Sequence, residues 1–311
     1  MNVLVVPTIR ENSIKSFMGA WDFSQWDKVI IIEDNPEKTF SIGSECEHFS
    51  WKEIEEDLGK DAWIFSRRDS GIRCYGFLKA YQEGADYYFT LDDDCSPTEY
   101  DHCKEHIKNM EQCPKWIESV PNYRTRGLPY RNYGKVDNVV MSVGLWEGVP
   151  DFDCIHSLAA KVPDNFKPPK YTRILANNQY VPICGMNLAF KKEIAPACYF
   201  PLMGMISPYK RFDDIWFGVL AKKICDHLGF HISCGMPFIN HKKHSDPFVN
   251  LEKETPGIVF NEEFWTIIDS IKLRSKTPKG CMGDIAKVLK KSDNDYMSRL
   301  GKAIEIWEGF F

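Results

Sequence analysis

No run of basic residues occurs in the 311-residue chain, whose formal net charge is −5 and whose isoelectric point is near 5.9. That argues against an electrostatic grip on nucleic acid and against a polybasic membrane anchor. No stretch approaches the roughly 20 apolar residues of a membrane-spanning helix. The apolar run within residues 1–7 is too short for a signal-peptide core and has no basic region before it, so a cytoplasmic protein is expected. No two cysteines have C-x-x-C spacing, and their number, 11, is odd. A disulfide framework and a zinc site are both disfavoured, and reduced, mostly buried thiols are expected. Internal repeats and low-complexity segments are absent. No glycine-rich phosphate loop follows the first apolar run, since residues 6–15 contain no glycine, which weighs against a sugar-nucleotide pyrophosphorylase. Aromatic residues, in contrast, are plentiful at 14%, with nine tryptophans, as suits a protein that stacks rings or sugars.

The first 95 residues alternate strand and helix signals. Strands are expected over 3–6, 28–32, 62–65 and 87–91. Helices are expected over 13–20 (capped by Asn12 or Ser13), 51–58 and 71–83 (capped by Asp69 or Ser70). This interleaving implies an α/β fold with a mostly parallel sheet covered on both faces. A helix over 100–111 follows. Residues 114–180, rich in Pro, Gly, Asn and Tyr, read as loops and irregular strands over the site. Further on come a strand over 185–190, a strong helix over 213–228 and a late strand over 232–234. From Asn261 the tail reads as amphipathic helix, packing as a cap or an interface element.

The most informative stretch is Tyr88 to Cys95, a strand ending in Asp92, Asp93 and Asp94. Three adjacent carboxylates repel one another unless a cation or protons neutralise them. Strand alternation sends Asp92 and Asp94 to one face and Asp93 to the other. Two hard oxygen ligands suit Mg²⁺ or Mn²⁺, with a diphosphate completing the shell. The plain alternative is an acidic solvated loop.

Other candidates surround this stretch. Thr8 and Arg10 follow the first strand, where open α/β sheets bind nucleotides, and Arg10 could fork onto a pyrophosphate or simply be a surface residue. Glu33 and Asp34 end the second strand, where they could accept from a base or ribose or equally build a turn. Arg73 lies in the first turn of a glycine-flanked helix, facing an anion or salt-bridged. Asp213 and Asp214 open the strongest helix, to cap it, hold sugar hydroxyls or take a proton. His241 is a candidate third metal ligand, while Lys242, Lys243 and His244 could neutralise phosphates or form a solvated basic loop.

Taken in order, VPTIR (6–10), DSGIRCYGF (69–77), FTLDDDC (89–95), GLWEGVPDFD (144–153), PICGMNLAF (182–190), RFDDIWFG (211–218) and the segment from His241 to Leu251 resemble the reversibly glycosylated polypeptides, the UDP-arabinopyranose mutases first known from plants. The resemblance runs from about Val3 to beyond Leu251. It implies a GT-A-type glycosyltransferase fold, a catalytic domain over 1–250 and a helical extension over 251–311. It also implies a Mn²⁺ or Mg²⁺ ion, a UDP-sugar substrate, interconversion of UDP-arabinopyranose and UDP-arabinofuranose, and self-glycosylation on an arginine. Asp92 and Asp94 then correspond to the metal pair, Asp93 lies towards ribose or sugar, His241 is the later metal ligand, and Asn187 joins the nucleotide-sugar residues. The glycosylated arginine corresponds to Arg126 in Arg126-Gly127-Leu128-Pro129, and a second family arginine to Arg131, with Arg124 competing. Residues 155–180 depart from the plant pattern and could line a different sugar pocket.

The expected mechanism is metal-assisted cleavage of the sugar–UDP bond, with Arg10 or Arg73 stabilising the diphosphate. Arg126 would capture the sugar, and Asp213 or Asp214 would serve it as base. Two alternatives stand beside this reading: a metal-dependent transferase passing the sugar to a separate acceptor, and a non-catalytic UDP-sugar-binding subunit. A homo-oligomer is left open.

Overall fold

The computed structural model describes residues 1–118, 126–160, 165–242 and 246–311. Strand β1 (Asn2–Thr8) leads through helix α1 (Glu11–Ala20) to β2 (Lys28–Glu33) and β3 (Cys46–Phe49). Helices α2 (Trp51–Leu58) and α3 (Arg73–Gln82) return the chain to β4 (Tyr87–Leu91). Next come β5 (Cys95–Ser96), α4 (His102–Glu111), β6 (Val139–Gly148), α5 (Cys154–Ala159), β7 (Thr172–Ile174) and β8 (Asn187–Lys191). Helix α6 (Asp213–Leu228) precedes β9 (His231–His241), and α7 (Pro247–Ser270), α8 (Pro278–Leu289) and α9 (Asp295–Glu308) follow.

Among the described residues, nine strands form one sheet in the order β3-β2-β1-β4-β8-β6-β9-β5, with β7 paired to β9. The four strands β3, β2, β1 and β4 are parallel. Beyond them β8 runs antiparallel to both β4 and β6, β9 is parallel to β6, and β5 and β7 are antiparallel to β9. The expected mostly parallel sheet is therefore a mixed one. Strands β5, β7 and β8 are entered through loops, and a loop imposes no parallel sense as a crossover helix does. Strand β1 connects outward to β2 while β4 lies on its other side, so the carboxyl ends of β1 and β4 border the crevice where such sheets bind ligands.

Both sheet faces are buried. Val3 and Val5 of β1 face one core with Ile30, Ile32, Tyr88 and Phe190. Leu4 and Val6 face the other, with Ile31, Phe89, Trp21 and Trp26. This explains why β1 reads as a continuous apolar run rather than an alternating one. The three C-terminal helices close the first core. Trp216 of α6 stacks on Phe264 of α7 at 4.4 Å, and the buried Trp307 of α9 donates its indole N–H to the Pro196 carbonyl at 2.9 Å. Helix α7 starts at Pro247, capped by Asp246, so a partition at residue 250/251 falls inside its first turn. No helix among the described residues is long and apolar enough to cross a membrane. All eleven cysteines are free and eight are buried.

Four elements differ from expectation. Helix α1 begins at Glu11 with Arg10 as cap residue, so Asn12 and Ser13 lie inside it. Residues 62–65 are not a strand; a 3-10 helix spans Gly59–Ile64, and the sheet edge is β3 instead. Four apolar residues are too few for their period to distinguish the two. Residues 114–180 contain the ten-residue central strand β6, whose Ser142, Gly144 and Gly148 break its apolar pattern. Strand β9 runs to His241 rather than ending at Cys234, continuing through Gly235 and Pro237, which read as punctuation.

Candidate active site

The acidic triplet is a turn at the carboxyl end of β4. The strand ends at Leu91, and the Cys95 N–H donates to the Asp92 carbonyl at 3.1 Å. Asp93 is buried inside the turn, while Asp92 and Asp94 are half-buried. The turn, rather than the expected strand alternation, produces this pattern. The Thr8 hydroxyl at the end of β1 donates to Asp93 Oδ2 at 2.6 Å, tying the two strand ends together across the crevice. Arg10 reaches Asp93 Oδ1 at 3.4 Å, and its side chain stays 48% exposed at the crevice mouth. Burial raises the Asp93 carboxyl above its ordinary range, against the Thr8 hydrogen bond and the Arg10 charge.

Strand β5 brings in the histidine. Cys95 pairs with His241 in antiparallel register, so His241 sits opposite the residue that follows the acidic triplet. His241 is buried, and its Nδ1 lies 2.9 Å from the Val149 carbonyl. A carbonyl only accepts, so Nδ1 carries the proton and Nε2 presents a lone pair. Gly148 makes this clamp possible, because its φ is +89° and a Cβ there would sit 2.5 Å from the His241 carbonyl oxygen. Among the described residues no three His, Cys, Asp or Glu side chains converge on one ion-sized point. A cleft of about 430 Å³ opens beside His241, walled by Val149 and by Phe166, which bridges to Gly148.

Arg73 supports the turn from below. It is 1% exposed, and its Nε donates to the Ser70 carbonyl at 3.0 Å. One terminal nitrogen bonds Thr90 Oγ1 at 2.8 Å and the Gly185 carbonyl at 2.5 Å, and the other bonds Asp92 Oδ1 at 2.5 Å. An arginine spent in this way cannot fork onto a diphosphate, so the salt-bridged alternative describes it. It fixes Asp92 with Oδ2 left over.

A second carboxyl cluster lies at the start of α6. Asp213 Oδ2 accepts from the Ser70 hydroxyl at 2.6 Å, and Asp214 Oδ2 accepts from the Gly185 N–H at 3.0 Å. Asp69 shares a hydrogen bond with Asp213. Burial, then the Asp213 charge, lifts Asp69 well above the ordinary range; burial also raises Asp213. Burial and the same Asp213 charge push Asp214 up to about 8. At neutral pH Asp214 therefore holds a proton, which suits an acid or a shuttle better than the base expected of it. Asp69 was legible only as a helix cap, which it also is, accepting from the Gly71 N–H at 3.0 Å.

Three expected ligand contacts prove to be internal. Glu33 is fully buried, and its Oε1 accepts from Asn35, from the Thr39 N–H and from the Thr39 hydroxyl. Asp34 accepts from the Trp51 indole at 2.7 Å and the Asp69 N–H at 2.9 Å, so both build the turn after β2. Asn187 is buried with its Oδ1 between the Nε2 atoms of His102 and His106, at 2.9 and 3.0 Å. Its Nδ2 donates to the Leu145 and Pro237 carbonyls, so it ties α4, β6 and β9 together rather than touching a sugar. Arg126, beside the positive-φ Gly127, and Arg131 are both exposed. No hydrogen bond or ion pair among the described residues joins either one to Asp213 or Asp214. Lys242 is exposed. Arg124, Lys243 and His244 lie outside the described residues.

The reversibly glycosylated polypeptide family model matches residues 2–310, nearly the whole chain. The chain belongs to this family. UDP-arabinopyranose mutase 1 of Arabidopsis thaliana is 34% identical over 98% of this chain and 90% of its own length. UDP-arabinopyranose mutase 3 of the same plant is 34% identical over 93% of this chain and 83% of its own length. A probable UDP-arabinopyranose mutase 1 of Solanum tuberosum is 33% identical over 98% and 88%.

Proposed function

We propose that the chain is a UDP-sugar mutase interconverting UDP-arabinopyranose and UDP-arabinofuranose, working in the cytoplasm on a GT-A-type fold. Its similarity to the plant mutases along 98% of its length carries this reading. The acidic turn at the β1/β4 crevice supports it, since that is where an open α/β sheet receives a nucleotide.

The donor set suits Mn²⁺ or Mg²⁺: Asp92 Oδ2, Asp94 and the free Nε2 of His241. Because these groups do not form a closed three-ligand cage, substrate oxygens must complete the shell, as Mg²⁺-type sites commonly require. Such an ion would supply positive charge to the departing diphosphate. Arg10, exposed at the crevice mouth, adds a second charge to the same group. Thr8 and Arg73 hold Asp93 and Asp92 in place, so the turn is preorganised before substrate arrives.

Changing a pyranose to a furanose exchanges the hydroxyl that closes the ring. One hydroxyl gives up a proton and another receives one. Asp214, with its raised affinity for a proton, is the group to carry that exchange, with Asp69 and Asp213 behind it. Self-glycosylation is the second half of the proposal: a C1–N bond to Arg126 forms as the C1–O bond to UDP breaks. The guanidinium proton leaves to water, which the exposure of Arg126 permits.

The test is incubation with UDP-arabinopyranose, with and without Mn²⁺, resolving the sugar nucleotides by chromatography and recording intact protein mass. A UDP-arabinofuranose peak that a chelator abolishes is expected, with an added pentose mass absent from Arg126→Ala. Unchanged substrate would refute the mutase reading, and full activity in Arg126→Ala would refute capture by that residue.

A further inference from the structure

Glu147 is a buried acid that the proposed chemistry leaves unused. It is the penultimate residue of β6 and 8% exposed. No hydrogen bond or ion pair among the described residues reaches its carboxylate. Its oxygens are not sealed from solvent, so the carboxylate is open to a ligand in the cleft it lines. Glu147 lines the cleft of about 430 Å³ beside His241, together with Asn165, Lys167, Asn240 and Lys242.

The lining selects the ligand. A phosphate would meet the Glu147 carboxylate, and a bare cation would meet the two exposed lysines at the rim. A neutral polyhydroxylated molecule conflicts with neither. The carboxylate accepts from hydroxyls, the two asparagine amides donate and accept, and the ammonium groups donate to ring and hydroxyl oxygens. The cleft volume falls within the usual range of small-ligand pockets. One wall, residues 165–167, comes from the segment whose sequence departs from the plant pattern.

We propose that this cleft is a saccharide subsite and that Glu147 is its specificity-determining hydroxyl acceptor. The saccharide has two sources of the same chemistry. It is either the sugar end of the nucleotide sugar, which His241 would place beside the diphosphate, or a separate free sugar; the first rests on the mutase reading.

Three calorimetric titrations separate the outcomes: UDP, UDP-arabinopyranose and L-arabinose, against wild type, Glu147→Ala and Glu147→Gln. UDP binding is expected to be unchanged. Affinity for UDP-arabinopyranose, or for L-arabinose if the sugar is separate, is expected to fall at least about tenfold in Glu147→Ala and less in Glu147→Gln, which keeps an acceptor oxygen. Unchanged affinity of Glu147→Ala for both saccharides would overturn the proposal. If wild type fails to bind UDP yet L-arabinose binding depends on Glu147, the mutase reading falls and the subsite stands. If Glu147→Ala converts UDP-arabinopyranose like wild type and binds both it and L-arabinose unchanged, the subsite falls and the mutase reading stands.

Discussion

Single residues in this site are decided by what surrounds them, and charge alone misleads. Arg73 and Arg10 both follow apolar stretches near the crevice, yet one is sealed beneath the turn and the other is half-exposed at its mouth. Nothing in their local sequence separates a structural guanidinium from a ligand-binding one, because the Thr90, Gly185 and Asp92 partners of Arg73 are distant along the chain. Removing it strands a carboxylate and three further acceptors. Arg73→Ala should lose about 3 kcal/mol in urea unfolding, the scale for breaking a buried ion pair from one side. Arg73→Lys should recover only part, since a point charge cannot reproduce the fork.

Asp214 gives a pH signature. Its folded-state affinity for a proton exceeds that of the unfolded chain, so between about 4 and about 8 the native state holds a proton that the unfolded state has released. The stability it contributes is complete at low pH and is lost as pH rises through about 8. Asp214→Asn lacks this slope while keeping an acceptor for the Gly185 N–H. Melting temperatures from pH 5 to 9 should show the variant gaining on wild type as pH rises; parallel curves would mean that Asp214 is ionised throughout.

At the scale of elements, a capped helix, a long apolar helix and a strand of dense aromatic content were legible. The elements at 51–58, 87–91 and 213–228 coincide with their expected bounds. The central strand β6 was not, because burial on both faces removes the alternation that marks a strand, and its glycines read as turns. One of those glycines is needed by the site. At Gly148 a side chain would meet the His241 carbonyl in a backbone conformation that favours glycine. Gly148→Ala should cost about 2 kcal/mol and lower turnover more than a surface substitution would, by shifting His241. Wild-type turnover and melting in this variant would mean that the clamp on His241 is dispensable.

For the whole molecule, the layered α/β plan followed from the interleaved periodicities, and the mixed strand sense did not, since direction depends on which strands become neighbours. The acidic turn was legible as chemistry because three adjacent carboxylates demand neutralisation wherever they sit. Its second wall, the Asp69–Asp213–Asp214 cluster, is assembled from two segments about 140 residues apart, and only the fold joins them. The crevice is proposed to convert the sugar of UDP-arabinopyranose. The most direct measurement is turnover of that substrate with Mn²⁺ by wild type and Asp94→Asn side by side. UDP-arabinofuranose is expected from wild type and at least about a hundredfold less from the variant, the scale for losing electrostatic stabilisation of a leaving group. Equal turnover by the two proteins, or none by wild type, would contradict it.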